Sequence, residues 1–197
     1  MNTSAIVLVG GHSRRMGTDK ALLQINGESF LSIIVRKVMT ITDDVWVVGR
    51  HSNNHVQTVA PLPAQFIEDS FANCGPLGGL HAGLQAMQHE AGIVVACDAP
   101  LISPALLQHM ASLLNGDYDA VVPRDDSGWH PLHAVYHKRC AALVEQSIRA
   151  GNRRVQDLLK LLRVRVIEPS EVAQFDLQGF SLRNLNTPED YQDLLRT

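Results

Sequence analysis

Apolar positions along this chain fall into two recurring patterns. Short apolar runs rich in β-branched residues predict strands at residues 5–9, 44–48, 93–97, 120–123, 132–136 and 163–167, with a short edge-like or parallel strand at 65–68. Between them, apolar residues recur every three to four positions and predict helices. One spans residues 30–39 with Leu31, Ile34, Val35 and Val38 on its inner face. The next carries Leu80, Leu84 and Met87 and ends near Gly92, and others span residues 104–114, 140–150 and 153–162. Turn chemistry punctuates the pattern: Asn26-Gly27 closes the short apolar segment 21–25, and Pro61 and Pro63 mark a loop. Ser103-Pro104 and Thr187-Pro188 each supply an N-cap followed by a first helical residue. Strand, helix, strand in alternation is the opening of a βαβ unit, so the class is α/β with a parallel sheet. A polar connection fills residues 168–185.

Composition narrows the picture. The 197 residues, 45% of them apolar, suit one domain over 1–197 with a sizeable core. A net charge of −3 leaves nothing globally basic to attract nucleic acid, so anionic ligands must be drawn by local patches. Cys74, Cys97 and Cys140 are odd in number and scattered, which suits reduced thiols in a cytoplasmic protein rather than zinc or a disulfide. No apolar run nears the ~20 residues of a membrane span, and no signal peptide is expected. His130, His133 and His137 straddle one strand at mixed spacing with no cysteine nearby, a poor zinc set.

The most informative stretch is residues 8–20. Strand 5–9 runs into Gly10 and Gly11, where backbone can turn tightly and turn N–H groups toward an anion. Arg14, Arg15 and Lys20 add cations suited to phosphate. Neither a P-loop ending nor a third dinucleotide-type glycine is present. Asp98 follows another core strand directly, where open α/β sheets bind ligands, and Ser103 already caps the next helix, so Asp98 is free to hold a metal. Asp69 ends a further strand and would contact nucleotide or orient the site. Arg153 and Arg154 open a helix, against its dipole, so a bound anion such as a substrate phosphate would explain them.

Residues Leu8, Gly10, Gly11, Ser13, Arg15, Met16, Gly17, Asp19, Lys20, Leu22 and Leu23 resemble the signature of the nucleotidyltransferase superfamily, most closely the molybdenum cofactor guanylyltransferases of the MobA type. Val9 stands where that signature has alanine. The Gly75-Pro76-Leu77-Gly78-Gly79 segment, the His130-Pro131 pair and the Asn184-Leu185-Asn186-Thr187-Pro188-Glu189-Asp190 tail are similar to further elements of the family, so the resemblance covers nearly the whole chain. It implies a three-layer, Rossmann-like sandwich with a mostly parallel central sheet. It also implies transfer of GMP from GTP to the phosphate of molybdopterin, release of pyrophosphate, and cofactor-delivery or acceptor proteins as partners.

On that resemblance, Leu8, Val9, Gly10, Gly11, Lys20, Asp69, Gly78, Gly79 and Asp98 would bind GTP. Arg15 and Lys20 would neutralise charge on the α-phosphate and pyrophosphate, and Asp98 would hold Mg²⁺, a hard ion that takes few carboxylates besides phosphates and water. Arg153, Arg154, Asn184 and Asn186 would face the pterin. No protein nucleophile is needed, because the acceptor phosphate attacks. Val47, Val48 and Gly49 occupy a place where the family often has asparagine, which shifts base recognition toward backbone near Gly78 and Gly79. The competing readings are a cytidylyltransferase or sugar-1-phosphate nucleotidyltransferase, and a catalytically idle GTP-binding module. Gly10-Gly11 with Asp19-Lys20 favours guanine, and an idle module need keep neither Lys20 nor Asp98.

Overall fold

The computed structural model describes residues 2–10, 19–49, 58, 61–69, 71 and 74–196. Strand β1 (Thr3–Val9) is buried along its whole length and lies at the centre of the sheet. Beside the site, β2 (Gln24–Ile25) and β3 (Glu28–Ser29) form a small hairpin through Asn26 and Gly27, both at positive φ. Helix α1 (Phe30–Val38) leads to β4 (Val45–Gly49), which pairs parallel to β1, and β5 (Gln65–Glu68) adds parallel to β4 at the sheet edge. Helix α2 (Pro76–Ala86) then returns the chain to β6 (Ala91–Ala96), parallel to β1 on its other side. Helix α3 (Pro104–Leu113) precedes β7 (Ala120–Asp125), β8 (Gly128–Trp129) and β9 (His133–His137). After α4 (Cys140–Arg149) and α5 (Val155–Leu159), β10 (Val164–Ile167) pairs parallel to β7. Helices α6 (Pro169–Val172) and α7 (Pro188–Arg196) follow.

The strand order is β10-β7-β9-β6-β1-β4-β5, with β8 paired to β7. The short β8 pairs antiparallel to β7, and along this path β9 runs against its neighbours β6 and β7. It is reached from β7 through a tight turn and no crossover helix, and a short connection of that kind reverses direction.

Alternation along β1 shows the layers. Ala5, Val7 and Val9 join a core with Ile34 and Val35 of α1 and Leu106 and Met110 of α3. Ile6 and Leu8 join the opposite core with Leu80 and Leu84 of α2, Val144 of α4 and Leu158 of α5. Both faces are covered, which is why the central strands read as continuous apolar runs. Helix α2 lies close to β1 because Gly83 carries no side chain: a Cβ there would meet Ile6 Cγ2 at 2.4 Å.

Four sequence expectations are corrected. Helix α2 stops at Ala86 rather than near Gly92, because Asp44 Oδ2 accepts the Gln88 N–H at 2.9 Å and Ser4 Oγ accepts the His89 N–H at 3.1 Å, drawing the chain out of the helix. The helix expected over 153–162 is confined to Val155–Leu159, with Arg154 in extended conformation at its N-cap and the last turn tightened by Leu161 N–H to Leu158 and Leu162 N–H to Leu159 contacts. Arg124 and Asp125 belong to β7, leaving a two-residue turn. The polar connection after β10 holds the short helix α6, whose Glu171 accepts from Arg165 at 2.9 Å and meets His109 at 2.8 Å.

Candidate active site

In chain order the sheet grows from β1 outward through β4 to β5, then crosses back to β6 on the other side of β1. The carboxyl ends of β1 and β6 therefore flank a topological switch point, the place where open α/β sheets leave a crevice for ligands. Gly10 follows one strand and Asp98 the other, and the Cys97 N–H donates to the Leu8 carbonyl at 3.0 Å to hold the two ends side by side. Leu8 and Val9 are buried, so only their backbone can reach a ligand.

Lys20 stands on a 3₁₀ turn whose N-cap Asp19 accepts the Ala21 N–H at 3.1 Å, while Ala21 is anchored in the core. Its ammonium lies 3.3 Å from Asp98 Oδ2 and donates to Asn186 Oδ1 at 2.8 Å. Both charged side chains are largely withdrawn from solvent, at 17% and 22% exposure, so their attraction is screened less than that of a surface pair. Asp98 also fixes the tail, because its carbonyl accepts the Leu185 N–H at 2.9 Å. On the far side of Asn186, Asp190 Oδ2 accepts the N–H groups of Asn186 and Thr187, and Thr187 Oγ1 accepts the Asp190 N–H. This reciprocal cap is why Thr187 and Asp190 stand three apart at the start of α7. Tyr191 of α7 donates to the Gln24 carbonyl at 2.6 Å, so both ends of the chain are clipped around Lys20. From below, Lys37 donates to the carbonyls of Pro100 and Ile102 and steadies the turn that carries Asp98.

Across the crevice, Asp69 Oδ1 accepts the Phe71 N–H at 2.8 Å. The Asp69 carboxylate lies against the first turn of α2, where a Cβ on Gly78 would come within 2.2 Å of it. Gly79 faces Leu8 at 3.1 Å by the same measure. Both glycines are buried, and protein atoms use the space that their missing side chains leave. Arg153 and Arg154 are exposed beside α5; the Arg153 carbonyl approaches Gly75, and the Arg154 carbonyl accepts the Asp157 N–H at 3.1 Å in the first turn of α5. Asn184 and Asn186 line a cavity of about 470 Å³ bounded by the β7–β8 hairpin and residues 178–186. The structure thus brings Lys20, Asp98 and Asn186 together and sets Asp69 against Gly78, while Arg153 and Arg154 are not among the residues that line the cavity of Asn184 and Asn186. Gly11 and Arg15 lie outside the described residues.

Two features of Asp98 suit a hard divalent cation. Its Oδ1 is buried with no hydrogen-bond partner among the described residues, and a buried orphan acceptor calls for a donor or an ion. No group of three or more acidic, histidine or cysteine side chains gathers among the described residues, which fits an ion held by one carboxylate together with substrate phosphates. Cys97, next in sequence, is not a nucleophile: burial pushes its thiol up to about 12.

The sequence missed the cavity's other wall. Asp125 Oδ2 meets His130 Nε2 at 2.7 Å, and Asp125 Oδ1 accepts from both Ser127 N–H and Ser127 Oγ. The Asp125-Asp126-Ser127 sequence signals a turn, but only the pairing of Arg124 with Trp129 brings His130 back onto Asp125. The three histidines of this region are dispersed. His130 binds Asp125, His133 is buried in the sheet, and His137 Nδ1 lies 3.6 Å from Glu90.

The MobA-like NTP transferase domain family matches residues 5–167. Among relatives, the probable molybdenum cofactor guanylyltransferase of Natranaerobius thermophilus is 33% identical over 97% of this chain and 94% of its own length. That of Chloroflexus aggregans is 36% identical over 96% and 92%. Among solved structures, molybdopterin-guanine dinucleotide biosynthesis protein A from Archaeoglobus fulgidus aligns with a TM-score of 0.85 at 27% identity, covering 98% of this chain and 97% of that one. No helix among the described residues is long and apolar enough to cross a membrane. With the Lys20–Asp98 pair at the switch point and a family match over most of its length, the chain belongs to the MobA-like NTP transferases.

Proposed function

We propose that this chain transfers GMP from GTP to the phosphate of molybdenum-bound molybdopterin, releasing pyrophosphate and forming the molybdopterin guanine dinucleotide. The observation that carries the reading is the Lys20 ammonium set between Asp98 and Asn186 at the β1–β6 crevice. The reaction is a displacement at the α-phosphorus: an oxygen of the acceptor phosphate forms the new P–O bond, and the bond to the β-phosphate oxygen breaks. Atoms balance with no covalent enzyme intermediate, so the protein's work is holding, aligning and neutralising charge.

Gly10 and Gly11 would offer backbone N–H groups to the triphosphate. Lys20 and Arg15 would meet the charge that shifts onto the α-phosphate and leaving pyrophosphate. Asp69, Gly78 and Gly79 would lie on the nucleotide side, and Arg153, Arg154, Asn184 and Asn186 on the side of the incoming pterin. Nucleotidyltransferases of this family generally use a divalent metal; here Asp98 would hold it, with Mg²⁺ as the ion. When bound, that ion supplies charge neutralisation to the phosphate oxygens. Residues 1–197 would act as one domain in the cytoplasm, receiving and passing the pterin by contact with delivery or acceptor proteins.

Asp98→Asn tests the assignment. The variant should unfold at the wild-type temperature within a few degrees, since Oδ1 has no partner among the described residues and an amide oxygen in place of Oδ2 can still accept from Lys20, yet its metal-dependent GMP transfer should fall by ~10³-fold or more. Near-normal turnover would remove Asp98 from the mechanism.

A further inference from the structure

The cavity beside Asn186 has a wall to which the reading above gives no role. Its volume of about 470 Å³ lies within the range of small-molecule sites. One side is the segment carrying Arg183, Asn184 and Asn186; the other is the β7–β8 hairpin with Asp125, Ser127 and His130. The two sides differ in charge character. The first continues through Asn186 to the Lys20 ammonium, the end suited to a phosphate. The second presents a carboxylate held from two directions, by Ser127 on Oδ1 and His130 on Oδ2.

That carboxylate is rigidly placed. The His130 N–H donates to the Pro123 carbonyl at 3.0 Å, and the buried Tyr136 hydroxyl donates to the Pro131 carbonyl at 2.8 Å, so the backbone on both sides of the imidazole is anchored. Burial works against the charge on Asp125, but the hydrogen bonds from Ser127 and His130 outweigh it and keep its pKa below the usual carboxylate range. A fixed anionic acceptor in a polar cavity selects a ligand edge rich in N–H donors.

We propose that this cavity seats the heterocycle of the acceptor, and that Asp125, positioned by Ser127 and His130, reads the adjacent N–H and NH₂ donors of a 2-amino-4-oxopyrimidine edge. The acceptor's phosphate then extends past Asn186 toward Lys20. The identity of the acceptor rests on the guanylyltransferase reading. Guanine carries the same edge as a pterin, so two ligands share the chemistry. The pterin is the occupant here because Asp69, on the nucleotide side after the edge strand β5, lies on the other side of β1 from this hairpin.

The test is binding of 6-hydroxymethylpterin to the full chain, followed by its fluorescence, with the nucleotide site saturated by GMPCPP and Mg²⁺. The wild type should bind the pterin in the presence of GMPCPP. Asp125→Asn, which offers an amide where the ring needs an acceptor, should bind it at least tenfold more weakly while GMPCPP affinity stays within twofold. His130→Gln should show a smaller loss of the same kind. In turnover, Asp125→Asn should raise KM for molybdopterin at least tenfold with kcat changed by no more than a few-fold, a split that simple loss of folded protein would not produce. Equal pterin affinity in wild type and Asp125→Asn overturns the proposal, as does displacement of the pterin by GMPCPP, which would return the edge to guanine. Pterin binding that depends on Asp125 in a protein unable to transfer GMP would instead overturn the guanylyltransferase reading and leave the subsite standing.

Discussion

Lys20, Asp98 and Asn186 come from three distant parts of the chain, yet each is held by bonds that do not involve its reactive atoms. Asp19 caps the turn under Lys20, Lys37 grips the turn beyond Asp98, and Asp190 grips the backbone of Asn186. Such support keeps functional side chains in place without spending their own hydrogen-bonding capacity. His133 is a contrasting case, a buried ring with neither nitrogen hydrogen-bonded among the described residues. Burial lowers its pKa to about 4, with His130 nearby adding to the shift and Asp176 opposing it. Folding therefore favours the neutral ring. The stability this supplies is complete above the unfolded value near 6.5 and is lost as pH falls from there toward 4. Urea unfolding at pH 7.5 and pH 4.5 should show the wild type losing roughly 2–3 kcal/mol more than His133→Leu across that interval. An identical pH dependence in the two proteins would contradict the assignment. Asp98 was legible in the sequence because it directly follows a core strand whose carboxyl end can be read from an apolar run, and Lys20 because it belongs to the glycine- and cation-bearing stretch that carries the family resemblance. Asp125 and His130 were not, because their meeting depends on the register of a hairpin, which no local pattern specifies.

Helix α2 shows how close packing places a site. Gly78 leaves room for the Asp69 carboxylate and Gly83 for Ile6, so one helix both touches the crevice and lies close against β1. Gly83→Ala would put a methyl group 2.4 Å from Ile6 Cγ2 in a packed core and should destabilise the fold by about 2 kcal/mol, measured by chemical denaturation. An unchanged or increased stability would mean that α2 can shift away from the strand at little cost. Element type was largely readable from periodicity, and the element ends were read less well for a physical reason. Met87 leaves α2 because Asp44 and Ser4, more than 40 residues away in sequence, capture the next two N–H groups. The presence of α6 likewise goes with contacts of Glu171 to Arg165 and His109, invisible in a polar segment with few apolar residues.

Taken whole, the molecule is a sheet covered on both faces, with its ligand-facing edge defined by the crossover from β5 back to β6. The α/β class and parallel character followed from alternating strands and helices, and β9, which runs antiparallel to β6 and β7, was expected as a strand without its direction. The chain's last segment matters beyond its size, because it brings Asn184 and Asn186 over Asp98 and closes the cavity on the acceptor side. Donor and acceptor would thus meet across a single lysine–aspartate pair, and the nucleotide would be read on one side and the pterin on the other. The decisive measurement is label transfer: the purified full chain incubated with Mg²⁺, molybdenum-bound molybdopterin and each α-³²P-labelled nucleoside triphosphate in turn. Label should pass to the pterin from GTP, with release of unlabelled pyrophosphate, and far less from CTP, ATP or UTP. Preferential transfer from CTP, or tight GTP binding with no pyrophosphate released, would contradict it.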